Sequence, residues 1–311
     1  MPTERDIRET CSLLEGLNKG DWTVLPMFSR LSAGEQRRIF LPSPTSRKII
    51  VAANVAETSL TIPGIRFVVD TGLARIRQYN PRTRTSGLPV RAISRSSADQ
   101  RAGRCGRVRN GVCVRLYSES DYLRRPPFTP PEILRANLAE VILRMKALNL
   151  GDIWHFPFVD QPSPKRIRDG FELLVELGAL EPSTRTQRTD SAYDRYDLTP
   201  RGRLMSRLPL DPRLSRMILE AREEGCLEAV LVIAAGLSIQ DPRERPVDKA
   251  VQADSIHRTF LDPISDFSSM LLLWDHCRAH CGSGASRAVL RRYCRDHFLS
   301  YRRMLEWQAV H

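Results

Sequence analysis

Gln100-Arg101-Ala102-Gly103-Arg104-Cys105-Gly106-Arg107 decides how this chain reads. Arg104 and Arg107 stand three residues apart, each preceded by a glycine. Glycine has no Cβ, so Gly103 and Gly106 let the backbone come close to another surface. The stretch is expected to open a helix, and residues three apart share a helix face. Arg104 and Arg107 then point together at one anion, and each guanidinium can fork onto phosphate oxygens. Gln100, one turn earlier on the same side, is placed to orient a water or a γ-phosphate. The plain alternative is a solvated basic helix, common in a chain this positive.

The rest of the composition agrees with a polyanionic partner. The chain has 311 residues, enough for two or three domains, and a 41% hydrophobic content that can fill their cores. Its formal net charge of +12 favours nucleic acid first and an acidic membrane surface second. No run approaches the roughly 18 apolar residues of a membrane span. The N-terminus lacks the apolar core of a signal peptide. Seven cysteines are an odd number without disulfide-module spacing, which suits reducing cytoplasm. A cytoplasmic monomer with no membrane contact is the expectation.

Working outward toward the N-terminus, Thr3 caps a helix whose apolar stripe is Ile7, Cys11, Leu14 and Leu17. Residues 23–28 read as a short buried strand. Ser29-Arg30-Leu31-Ser32 is a loop, and Ser32 with Glu35 fits a capping box for a helix ending in Arg38-Ile39-Phe40. On the residues alone, Phe40 reads as core packing. Residues 47–53 and 65–70 read as further buried strands, and the α/β alternation implies a parallel sheet. Residues 75–79 and 88–93 bracket turn residues and read as an arginine-rich hairpin. Residues 112–117 make another strand.

Beyond it, four prolines in residues 124–131 mark a linker and the first domain boundary. Helices are expected at 132–148 and after Pro164, then an extended piece at 196–198. From Leu198 on the chain reads as all helix: 212–224, 227–237, 248–260, 266–277 and 286–307. The nearly all-apolar 227–237 segment should be buried.

The eight-residue stretch resembles motif VI of superfamily 2 helicases, in the DEAH-box form. Asn54-Val55-Ala56-Glu57-Thr58-Ser59-Leu60-Thr61-Ile62-Pro63-Gly64 looks like motif V of the same group. The run from Arg292 to Tyr301 and then Glu306-Trp307-Gln308 looks like the bacterial HrpA type. The resemblance covers nearly the whole chain. It implies a RecA-like α/β domain of the P-loop NTPase type at 1–125, a winged helix at 126–198 and a ratchet-like helical bundle at 199–311. It implies ATP with Mg2+ as cofactor, and single-stranded RNA or an RNA duplex end, including ribosome-bound messenger RNA, as partner. Arg104 and Arg107 would be arginine fingers, with Gln100 beside them and Gly103 in the nucleotide-binding turn. Phe40 would stack on adenine, Ser59 would sense nucleotide state and Thr61 would touch ribose. Ser29, Arg30, Asn54 and Thr58 would follow the RNA backbone, and the hairpin would wedge a duplex, with translocation 3′ to 5′. Ala53 stands where a threonine is usual and Pro63 where an acidic residue is common, so those two contacts are not expected.

The family carries a buried strand ahead of the first helix, so the chain is expected to be a C-terminal piece. It contains no Gly-x-x-x-x-Gly-Lys-Ser/Thr loop and no Asp-Glu-Ala-His, the parts that cradle phosphates and hold magnesium. A non-catalytic RNA-binding adaptor on the same fold is the alternative function. His276, Cys277, His280, Cys281, Cys294 and His297 cluster in sequence, but their separation matches no common zinc finger and no metal is expected. Cys105 reads as a packing residue, since no His or Asn is placed to activate it.

Overall fold

A computed structural model describes residues 1–17, 22–31, 33–41, 47–58, 62–80, 83–107, 110–183, 195–282 and 286–311. The chain forms two compact units, Met1–Ala136 and Asn137–His311.

The first unit opens with α1 (Glu4–Leu17). Asp6 N donates to Thr3 Oγ1 at 3.1 Å and Thr3 N to Asp6 Oδ2 at 3.0 Å, so the cap is reciprocal. Ile7 and Cys11 are buried, Leu14 is half-buried, and Leu17 is exposed and outside the stripe. Strand β1 (Trp22–Met27) leads to α2 (Ala33–Arg38) and to β2 (Arg47–Ala52). β1 and β2 pair in parallel from Trp22↔Arg47 to Met27↔Ala52. Ile7 and Cys11 pack with Phe28, Leu31 and Val51, while Leu25, Met27 and Ile39 form a second cluster. Ser32 of the expected capping box lies outside the described residues.

After the short helix α3 (Val55–Thr58) comes β3 (Phe67–Asp70), two residues shorter at its start than expected. The hairpin is longer than the sequence suggests. It contains β4 (Leu73–Arg75), β5 (Gln78–Asn80), β6 (Thr85–Gly87) and β7 (Val90–Ala92). β4 pairs with β7 and β5 with β6, and Ile76 N donates to Pro89 O at 3.2 Å between the two ladders. One register therefore runs the length of the hairpin. Helix α4 (Arg95–Ala102), β8 (Val112–Arg115) and α5 (Glu119–Arg124) complete the order. β8 pairs in parallel with β3.

The expected single parallel sheet is thus two parallel pairs, and among the described residues no ladder joins β2 to β3. Alternation of strand and helix sets strand direction, but it leaves open which edges meet. The proline run is tied down. Pro126 O accepts from Arg95 N and Pro127 O from Ser96 N, both at 2.9 Å. These carbonyls satisfy two N–H groups that the first turn of α4 would otherwise leave unpaired.

The second unit holds α6 (Ala139–Ala147), α7 (Pro164–Glu176) and the antiparallel pair β9 (Leu180–Pro182) and β10 (Tyr196–Leu198). Then follow α8 (Pro200–Arg207), α9 (Pro212–Glu223), α10 (Leu227–Ser238), α11 (Ala250–His257), α12 (Asp266–Cys281), α13 (Arg287–Asp296) and α14 (Tyr301–Val310). Three expected helices differ. The helix expected at 132–148 begins only at Ala139, because Asn137 Oδ1 accepts from Ala139 N at 2.7 Å and fixes the start there. The one expected at 248–260 is α11 with a single 3-10 turn at each end.

The helix expected at 286–307 breaks into α13 and α14. Phe298 takes φ 52°, Leu299 N donates to Cys294 O at 2.8 Å, and Phe298 N donates to Arg295 O at 3.5 Å. That is a Schellman ending with a phenylalanine where glycine is usual. Arg243 and Leu299 form a β-bridge that holds the corner. In the core of this unit Trp274 and Trp307 lie 5.2 Å apart, and Trp307 Nε1 donates to Val232 O at 3.0 Å. Residues 232–236 of α10 are buried but Leu237 is exposed, so the apolar segment is covered over its middle.

Candidate phosphate and nucleic-acid site

Ser94 starts α4 with its Oγ accepting from Ser97 N at 3.2 Å. The helix stops at Ala102, with Gly103 at φ −59° and ψ −13° as its C-cap. The central stretch therefore closes a helix instead of opening one. Arg104 and Arg107 lie in the turns beyond it and do not share a helix face. The turn stays tight because Cys105 is buried, with Sγ donating to Ala102 O at 3.0 Å. It is also packed from below: a Cβ on Gly111 would sit 2.2 Å from Cys105 O. Among the described residues a Cβ on Gly106 would meet nothing within 4 Å. Gly111, which the sequence reading passed over, is the glycine the local packing requires.

Arg104 Nη2 donates to the main-chain oxygen of Glu57 in α3. Burial, and after it the positive charge of Arg107, hold the Arg104 guanidinium below its ordinary pKa. The two cations are thus near enough to repel, which is the arrangement an anion between them would relieve. Arg107 and Gln100 are exposed.

Beneath them lies a clamp that the sequence reading missed. Arg101 Nε donates to Glu57 Oε2 at 3.0 Å, Nη1 to Asp70 Oδ1 at 2.8 Å and Nη2 to Leu73 O at 3.2 Å. Ser97 Oγ donates to Glu57 Oε1. Asp70 also accepts from Gly72 N and Tyr117 OH, each at 2.9 Å, and its side chain is fully buried. Burial alone would push the Asp70 carboxyl up. The Gly72 N–H, Arg101 and the Tyr117 hydroxyl outweigh burial and hold it below the usual carboxylate range. The only trace in sequence is Ser97 and Arg101 four apart on one face of α4. Glu57 and Asp70 are too distant in sequence to have been paired with them.

Three further candidates lie at the carboxyl ends of β1 and β2. Ser29 and Arg30 follow β1, Asn54 follows β2, and all three are exposed. Those strand ends lie side by side, and Ala53 N donates to Met27 O at 2.9 Å. Ligands of open α/β folds bind outside such ends. Asn54 also adjoins the helix that holds Arg104, since its carbonyl accepts from Glu57 N at 2.9 Å. Phe40 is 40% exposed while Ile39 takes the core position, which corrects the core-packing reading of Phe40. Thr58 ends α3; its side chain, and all of Ser59 and Thr61, lie outside the described residues.

The donors suit phosphate. The carboxylates do not suit magnesium, because Glu57 and Asp70 are already held by Arg101, Ser97 and Tyr117. Among the described residues no group of three or more His, Cys, Asp and Glu side chains is placed to hold a metal. In the 276–297 cluster, His276 Nδ1 bonds Tyr293 OH at 2.8 Å and the His276 and His280 rings stack at 3.9 Å. Burial there pushes the Cys277 and Cys294 thiols up to about 12. Among the described residues no helix is long and apolar enough to cross a membrane.

Comparison with known proteins follows the same outline. Residues 2–109 match the helicase conserved C-terminal domain. Residues 171–210 match the winged-helix helicase associated domain (HA2), and 211–280 its ratchet-like part. The chain is built of helicase domains, a mixed α/β part followed by helical parts. It belongs to the HrpA-type DEAH-box helicases. It is 51% identical to the ATP-dependent RNA helicase HrpA of Escherichia coli and 50% identical to the HrpA homolog of Haemophilus influenzae, in each case over its whole length. It is 38% identical over 92% of its length to the human probable ATP-dependent RNA helicase DHX35. The chain spans 23% of the length of the two bacterial relatives and 38% of the human one. The crystal structure of the E. coli DExH-box NTPase HrpB matches 88% of this chain and 32% of its own, with a TM-score of 0.68 at 30% identity.

Proposed function

We propose that this chain supplies the arginine half of an ATP site, together with an RNA-facing edge, in an ATP-dependent RNA helicase. The observation that carries the proposal is that one short helix, α3, adjoins both Asn54 and the anchored guanidinium of Arg104. In this reading residues 1–125 are the second RecA-like domain, 126–198 the winged helix and 199–311 the ratchet-like bundle.

ATP, bound with Mg2+ against a phosphate-loop domain of the same protein, supplies the phosphoryl group. Arg104 and Arg107 stabilise negative charge developing on that group, an effect that in arginine fingers reaches about 1,000-fold or more in rate. Gln100 orients the attacking water or the γ-phosphate. Phe40 offers an exposed ring to adenine, and Gly103 lies in the nucleotide-binding turn; Ser59 and Thr61 take the nucleotide-sensing and ribose roles. Ser29, Arg30, Asn54 and Thr58 contact the RNA backbone. The 73–92 hairpin stands beside the duplex as translocation proceeds 3′ to 5′. The partners are single-stranded RNA or a duplex end, ribosome-bound messenger RNA among them, met by a cytoplasmic monomer.

The test is ATP hydrolysis with and without single-stranded RNA, by the chain alone and joined to a phosphate-loop helicase domain. RNA-stimulated hydrolysis is expected only in the joined protein and is expected to vanish in R104A and R107A. Hydrolysis by the chain alone refutes the half-site. A joined protein that binds RNA without hydrolysis points to the adaptor.

A further inference from the structure

The clamp under Arg104 has no part in the chemistry just described, yet it meets that residue at Glu57. Arg104 can reach few places, because its Nη2 is pinned to Glu57 O. Glu57 in turn cannot shift freely, because Ser97 holds one carboxylate oxygen and Arg101 the other. Arg101 is anchored by Asp70, whose side chain is fully buried, and by Leu73 O. Ser97, Arg101 and Arg104 all issue from α4 or its C-terminal turn, while Glu57 sits on α3. The two short segments are therefore cross-braced, and the brace ends on the guanidinium.

We infer that Glu57 is a positioning residue: with Ser97 and Arg101 it fixes the place and fork direction of the Arg104 guanidinium. The inference rests on Arg104 acting on a phosphate, as proposed above. A bidentate fork is useful only when aimed, because Arg bonds phosphate through planar, fixed N–H directions. An arginine on a turn would otherwise sample many rotamers, and holding one of them lowers the entropy lost on reaching the productive state.

E57Q keeps the shape and the Ser97 bond but removes one of the two charges that hold Arg101, the other being Asp70. In the joined, ATP-hydrolysing protein it is expected to lower kcat about ten-fold or more, since a misplacement of about 1 Å can cost about 100-fold. KM for ATP and the affinity for single-stranded RNA are expected to stay within about two-fold, because uniform binding is untouched. The decisive measurement is E57Q in an R104K background. Lysine has no fork to aim, so E57Q is expected to cause little further loss there. The inference is overturned if E57Q slows hydrolysis by the same factor in both backgrounds, whatever it does to the melting temperature. It is overturned equally if kcat is unchanged while the wild type hydrolyses ATP. A joined wild type with no hydrolysis refutes the proposed function instead, so the two failures are distinguishable.

Discussion

Replacing Asp70 by asparagine tests the clamp as a source of stability. The wild-type carboxylate accepts from Arg101 Nη1 at 2.8 Å, Gly72 N at 2.9 Å and Tyr117 OH at 2.9 Å. Asparagine keeps the volume and one acceptor oxygen on the Arg101 and Gly72 side. Its amide meets the Tyr117 hydroxyl, which can rotate to accept. The loss is the charge assistance to Arg101. Breaking a buried ion pair by removing one partner costs about 3–5 kcal/mol. Here Arg101 keeps Glu57, so its charge is not stranded and the lower figure is an upper bound. About 2 kcal/mol is expected, or about 30-fold in the unfolding equilibrium. Amide hydrogen exchange in α4 isolates the effect to the first unit. Ala98 N and Gly103 N, bonded within the helix to Ser94 O and Asp99 O, should exchange about 30-fold faster.

The pH dependence has a fixed sign. The folded pKa of Asp70 is depressed, so its contribution is complete above the unfolded value of about 3.9. It is lost as pH falls through the folded value. The gap between wild type and D70N should therefore be level from about pH 5 to 8 and close only in acid. Exchange within about three-fold of wild type at pH 7, or a gap that opens as pH falls, would refute the reasoning.

Three further outcomes follow from local geometry. G202A should lower the melting temperature by several degrees or prevent folding, because its Cβ would sit 2.1 Å from Ala179 O and backbone cannot give way cheaply; calorimetry decides. Asn149, at φ 53°, is followed by Leu150 N donating to Met145 O at 3.0 Å, so N149A should cost about 1 kcal/mol in urea unfolding while N149G costs little or nothing. Exposed Cys226 should react with a maleimide in the native state, whereas Cys277 and Cys294, buried and with thiols pushed up to about 12, should react only after denaturation, as peptide mass spectrometry would show.

Much of this architecture was legible, and the misses share a cause. Thr3 and Asp6 lie three apart, so their cap could be read directly. The strand directions followed from alternation with helices. The spacing of Arg104 and Arg107 with glycine did not show their setting: α4 ends before them, and among the described residues a Cβ on Gly106 would meet nothing within 4 Å. The end of α4 depends on Cys105 being buried and on Gly111 packing beneath it, and nothing in the local pattern displays that. The clamp joins Glu57, Asp70 and Arg101, whose proximity is made by β3 and α3 and not by any motif. The break after α13 escaped notice because Phe298 does what a glycine commonly does, so the usual stop signal was missing.

The proline run has a mechanical consequence. Its carbonyls grip the first turn of α4 through Pro126 and Pro127, and Thr129 Oγ1 lies 3.1 Å from Ser94 Oγ. Proline has a fixed φ, so the run behaves as a stiff strap with little slack to take up. A pull applied from the C-terminal side would first load the hairpin, where Arg135 O accepts from Tyr79 N and Arg135 Nη1 donates to Arg77 O, both at 2.9 Å, and would reach α4 through the proline run once those bonds give way. Tension in the chain would then act as an input to the helix that ends at Ala102, two residues before Arg104. In a single-molecule experiment the Arg135 contacts to the hairpin should yield first and α4 directly after them.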